Sequence, residues 1–79
     1  MRGFVNITLD RTSNVKPTTV INRINNVANV QFAHLVTGQV DAIAFIDAPD
    51  TEGFSRAIFA ISRINGVAST LTNVVLAGH

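Results

Sequence analysis

Val30-Gln31-Phe32-Ala33-His34-Leu35-Val36, then Thr37-Gly38-Gln39, then Val40-Asp41-Ala42-Ile43-Ala44-Phe45-Ile46 decides the fold of this chain. Two short runs of β-branched, aliphatic and aromatic residues flank a turn that holds a glycine, which predicts a hairpin of strands over residues 30–36 and 40–46. Alternation along the second run puts Val40, Ala42, Ala44 and Ile46 on one face and Ile43 and Phe45 on the other. In the first run Phe32 and Val36 oppose Ala33 and Leu35. Both faces are largely apolar, as expected of strands that are covered on both sides.

Upstream, Val5, Ile7 and Leu9 alternate with Asn6, Thr8 and Asp10, the period of a half-buried strand over residues 3–10. A polar connection, Arg11-Thr12-Ser13-Asn14, leads to Pro17, whose missing N–H is harmless in a first helical turn. The helix predicted from there to about residue 27 turns Val20, Ile21, Ile24, Val27 and Ala28 inward and leaves Asn22, Arg23, Asn25 and Asn26 to solvent. Its three asparagines make it a weak helix by itself, so packing must hold it.

Downstream, Pro49-Asp50-Thr51-Glu52 reads as a helix start, with Asp50 or Thr51 as cap and Glu52 near the positive end of the dipole. Phe54, Ala57, Ile58, Ile61 and Ile64 form one stripe, Asn65-Gly66 ends the helix, and a last strand runs over 67–76. The order βαββαβ predicts an α+β, ferredoxin-like domain: a four-stranded antiparallel sheet with two helices on one face. Arg23-Ile24-Asn25-Asn26-Val27-Ala28 returns forty residues later as Arg63-Ile64-Asn65-Gly66-Val67-Ala68, with Asp10 returning as Asp50 and Gly38 as Gly78. Two βαβ halves related by a pseudo-twofold account for such an offset.

The chain has 79 residues, room for one domain with one core, and small domains leave much of their surface uncovered. It is 47% hydrophobic and 14% charged. Too few charges remain to cover a small monomer, so part of the apolar surface is expected to be an interface. With helices on one face only, the opposite sheet face should pack on a second copy to form a dimeric α/β barrel. Ala44 is expected on that paired face. The absence of cysteine excludes disulfides and thiolate metal sites, and fits a reducing cytoplasm. A net charge of +1 with scattered basic residues excludes a nucleic-acid footprint, and no apolar run is long enough to span a membrane.

The only histidines are His34, in a strand, and His79, so no nucleophile–base–orienter set or metal cluster assembles, and no cofactor is implied. His34 reads as a strand-surface residue, and Asp10, Asp47 and Asp50 as caps and solvated loop positions. Thr37-Gly38-Gln39-Val40-Asp41 holds backbone donors, a hydroxyl and a carboxylate in one turn. Backbone N–H groups and Thr37 could take the carboxylate of an amino acid, and Asp41 its ammonium, by charge-assisted hydrogen bonds. Taken alone, the same turn is also an ordinary hairpin.

His34-Leu35-Val36-Thr37-Gly38 with Asp41, the helix exit Ile64-Asn65-Gly66-Val67, and Thr70-Leu71-Thr72-Asn73-Val74-Val75-Leu76 together resemble the effector-binding (RAM) domain of the Lrp/AsnC regulators over about residues 4–76. Val40 and Leu71 depart from it, standing where an aromatic and a polar residue are common. The resemblance implies sheet-paired dimers that join into rings, with an amino-acid effector bound between dimers at Thr37, Gly38, Gln39, Val40 and Asp41, and with Thr70 and Thr72 nearby. It implies a cytoplasmic sensing and oligomerisation module in transcription regulation, not an enzyme. The chain is similar to the stand-alone form that lacks a helix-turn-helix, acting alone or together with a full-length Lrp/AsnC regulator. Two other readings stay open: an enzyme of the dimeric α/β-barrel type, and an assembly module without a ligand.

Overall fold

A computed structural model describes residues 1–76; Gly78 and His79, and with Gly78 one part of the forty-residue echo, lie outside the described residues. The elements are β1 (Arg2–Leu9), α1 (Pro17–Asn25), β2 (Val30–Leu35), β3 (Ala42–Asp47), α2 (Thr51–Ser62) and β4 (Val67–Val74). They form one four-stranded sheet in the order β2-β3-β1-β4, antiparallel throughout. This is the ferredoxin-like arrangement expected from the element order.

Alternation is realised as burial. Val5, Ile7 and Leu9 of β1 and Ala42, Ala44 and Ile46 of β3 lie buried against Val20 and Ile24 of α1 and Phe54, Ala57 and Ile61 of α2. The alanines of β2 and β3 keep this face shallow, so the helices approach closely and bulky side chains from the helices fill the layer. The α2 stripe holds at Phe54, Ala57, Ile58 and Ile61, whereas the helix ends at Ser62 and leaves half-buried Ile64 beyond it. Asp50 is the cap: its Oδ1 accepts a hydrogen bond from the Gly53 N–H at 2.7 Å.

On the other face Phe45 lies between Phe4 and Phe32, with ring centroids 4.9 and 5.7 Å away, and Phe32 stacks on His34 at 5.1 Å. Phe4 and Leu71 are exposed there, while Phe32, Ile43 and Phe45 are half-buried. Ala44 is a correction. It is fully buried on the helix-covered face, and the side chains of β3 that reach the open face are Ile43 and Phe45.

Three further expectations change. Helix α1 stops at Asn25, because the chain then turns through Asn29 in a left-handed conformation (φ 72°) to enter β2. Asn25 is not simply solvated: its amide bonds to both backbone groups of Ala33. The pseudo-repeat is also out of step with the forty-residue echo. Val30 N–H to Val27 carbonyl is matched by Val67 N–H to Ile64 carbonyl, and left-handed Asn29 by left-handed Gly66, each displaced by thirty-seven positions (30 to 67, 29 to 66). Backbone geometry at the corner, rather than residue identity, defines the equivalence.

Candidate functional site

The β2–β3 connection is longer than the three-residue turn expected, because β3 begins only at Ala42. Val36 N–H bonds to the Asp41 carbonyl at 3.0 Å and closes the loop. Asp41 is then held by β1. Its N–H donates to the Ile7 carbonyl at 3.0 Å, and its Oδ2 accepts from the Leu9 N–H at 2.9 Å. The second carboxylate oxygen, Oδ1, accepts from Arg11 Nη2 at 2.7 Å.

These two partners differ in kind. The Asp41 side chain is 21% exposed and fixed by backbone, whereas that of Arg11 is 83% exposed and held by this one ion pair. An exposed pair of this sort is worth about 0–1 kcal/mol, so Arg11 is free to exchange partners while Asp41 stays in place.

The loop after β1 is shaped by Asp10. Its Oδ1 accepts from the Thr12 N–H at 2.9 Å and the Thr12 hydroxyl at 2.6 Å, and its N–H donates to the Gly66 carbonyl at 2.8 Å. The Thr12 hydroxyl, and after it the Thr12 N–H, hold the Asp10 carboxyl below its ordinary value, so it stays anionic into mildly acidic solution.

Between this loop, the start of α1 and the ends of β2 and β3 lies an open groove of about 460 Å³. Asp10, Arg11, Ser13 and Asp41 supply its polar lining, Val15, Pro17, Val20, Leu35 and Val36 an apolar wall, and Leu9 and Gly66 complete it. The volume suits a small ligand. A guanidinium beside two carboxylates, next to an apolar wall, matches an amphipathic zwitterion: its anionic end to Arg11, its cationic end to Asp41 or Asp10.

Of the residues expected at a site, Asp41 lines this groove. Thr37, Gly38 and Gln39 are exposed at the loop tip, Val40 is half-buried, and none of the four is in the groove lining. Gly38 adopts a φ of 128° that favours glycine. Thr70 and Thr72 pair with Ile7 and Val5 on β4, so their side chains lie on the helix side of the sheet and not in the groove. Sequence reasoning gives Arg11 and Ser13 no role and Asp10 only a capping or solvated one, yet all three line the groove. In sequence they belong to a polar connection, and only the β1–β3 register brings them to Asp41.

A family description, the Lrp/AsnC ligand binding domain, matches residues 2–78. The chain belongs to this family. Solved structures share the Lrp/AsnC fold at low sequence identity. A Thermus thermophilus protein superposes with a TM-score of 0.86 at 22% identity, over 99% of this chain and 95% of that one. Escherichia coli AsnC gives 0.80 at 19% identity, over 98% of this chain but 51% of that one. A feast or famine regulatory protein from M. tuberculosis, solved in complex with L-methionine, gives 0.76 at 19%, over 98% of this chain and 50% of that one. This Lrp/AsnC domain thus spans about half of those two regulators. No curated protein matches it by sequence. Among its described residues, no helix is long and apolar enough to cross a membrane.

Proposed function

We propose that this Lrp/AsnC domain senses an amino acid and reports it through self-association, as a cytoplasmic regulatory module of transcription that does not itself contact DNA and catalyses no reaction. The observation that carries the reading is the convergence of Arg11 and Asp41 at one groove. Arg11 gives up its exposed contact to Asp41 and takes the ligand carboxylate, the freed Asp41 oxygen takes the ammonium, and the apolar wall takes the side chain. Thr37, Gly38, Gln39 and Val40 close over the groove from the loop tip, with Thr70 and Thr72 further from the ligand. The complex of the M. tuberculosis protein with L-methionine supports an amino acid as the ligand class.

The open sheet face supports a homodimer. Phe4, Phe32, Ile43 and Phe45 form an apolar patch that a second sheet would cover, making a dimeric α/β barrel, and such dimers would then join into a ring. In this reading the domain works through association with further copies of itself or together with a full-length Lrp/AsnC regulator.

Calorimetric titration with each of the common amino acids tests the proposal. One of them should bind, and Asp41→Ala should weaken it by roughly 2–5 kcal/mol, the usual loss when one member of a desolvated charged pair is truncated. Equal affinity in Asp41→Ala would remove the groove from the mechanism. No binding of any amino acid at millimolar concentration would favour a purely structural role.

A further inference from the structure

The groove holds more negative charge than a zwitterion can use. Asp10 and Asp41 both line it, and among the described residues Arg11 is the one cation in that lining. Arg11 already belongs to Asp41, with Nη2 at 2.7 Å from Oδ1. Asp10 has no cationic partner among the described residues. Both of its Thr12 bonds fall on Oδ1, and the Ser13 N–H goes instead to the Asp10 carbonyl at 3.2 Å, so Oδ2 is left without a donor. The residue is nonetheless fixed in place. Its own N–H is tied to the Gly66 carbonyl, and Leu9, whose N–H holds Asp41 Oδ2, directly precedes it. Thr12 also keeps the Asp10 carboxyl charged into mildly acidic solution.

We propose that the groove takes a diamino acid, whose side chain ends in a second ammonium group, in preference to a neutral amino acid. This rests on the amino-acid reading above and names the ligand within it. The α-carboxylate goes to Arg11 and the α-ammonium to Asp41, as for any amino acid, and the second ammonium goes to Asp10 Oδ2 by a charge-assisted hydrogen bond. Charge decides the class. Two carboxylates against one guanidinium leave the lining with one negative charge in excess, which a neutral zwitterion does not compensate and a diamino acid cancels. An acidic amino acid would add to the excess. The wall agrees with this choice: Val15, Pro17, Val20, Leu35 and Val36 offer apolar surface to a run of methylenes. Because the groove is open, the second ammonium stays partly hydrated while its stem is covered, as long cationic side chains do on protein surfaces.

Matched ligands isolate the second ammonium: L-lysine against L-norleucine and L-ornithine against L-norvaline share the same stem and differ in that group alone. In calorimetric titration at low ionic strength, lysine or ornithine should bind roughly three- to fivefold more tightly than its neutral counterpart, the strength of an exposed ion pair. The margin should shrink as salt is added, a readout that needs no variant. Asp10→Asn keeps an oxygen for the Thr12 N–H but removes the charge, and should bring the two members of a pair level. A margin that survives Asp10→Asn would overturn the assignment of the second ammonium to Asp10. Norleucine and norvaline binding as tightly as their diamino counterparts, with Asp41→Ala still weakening them, would overturn the diamino class and leave the amino-acid reading standing. Failure of all four to bind, together with every other common amino acid, would remove both.

Discussion

Asn25 and Ala33 are joined by two reciprocal hydrogen bonds, Ala33 N–H to Asn25 Oδ1 at 2.9 Å and Asn25 Nδ2 to the Ala33 carbonyl at 3.2 Å. A side chain on α1 thereby acts as one residue of an extra strand and closes the β2 edge. Asn25→Ala should lower stability by about 1–2 kcal/mol, two net hydrogen bonds' worth, read from the denaturant midpoint. Exchange of the Ala33 amide hydrogen should accelerate in the same variant. If the amide stays protected, the bonds are not what guards the edge.

Gly66 and Gly38 both have positive φ, 106° and 128°, but their surroundings differ. A methyl on Gly66 would come within 2.5 Å of Val20 Cγ2, whereas one on Gly38 would meet nothing within 4 Å. Gly38→Ala should cost only the backbone strain of a left-handed residue, about 1–2 kcal/mol. Gly66→Ala should cost roughly a further 1–3 kcal/mol for overpacking against Val20. Thermal melts of the two variants side by side check the ranking, and equal losses would contradict it.

Asp10 should titrate below an ordinary aspartate, because Thr12 bonds its charged form. A depressed folded value means that its contribution to stability is present above the unfolded value and fades as pH falls through the folded one. Thr12→Val should move the carboxyl back up, followed by NMR chemical shift against pH. An unchanged midpoint in Thr12→Val would assign the shift to another cause. The groove keeps its Asp10 charge in mildly acidic solution under this account.

Ala44 and Phe45 are neighbours on opposite faces of β3, so lysine at each should fail differently. Ala44→Lys places an unpaired charge under the helices and should lose on the order of 3–5 kcal/mol, enough to unfold a marginal domain. Phe45→Lys removes two aromatic contacts and should cost about 1–2 kcal/mol while preventing sheet-to-sheet pairing. Circular dichroism and sedimentation together separate the outcomes. A folded, normally assembled Phe45→Lys would leave the open face without a role in association.

The order of the elements and the stripes Val5-Ile7-Leu9 and Phe54-Ala57-Ile61 were legible because burial imposes a period on residues that are close in the chain. So was the importance of Asp41, which stood out as a carboxylate beside a glycine turn. Its partners were not legible. Arg11 and the Leu9 N–H lie 30 and 32 positions away, and only the pairing of β1 with β3 brings them together. Asn25 was assigned to solvent by the same helical period that correctly assigned Asn22 and Asn26, since periodicity tells which way a side chain points and not what it finds there. The repeat was placed by matching letters at an interval of forty, yet the corners that correspond are set by left-handed Asn29 and Gly66, chemically different residues in the same backbone state.

By itself the sequence determined the βαββαβ order, the two-layer architecture, the apolar excess and the family resemblance, all of which follow from local patterns of size and polarity. Only the tertiary structure decided that Ala44 points inward, that Asn25 closes one sheet edge, and that Arg11 shares Asp41 with a β1 amide. The physical reason is that these features depend on strand register and helix placement, where a shift of one residue exchanges the faces and separates every cross-chain pair.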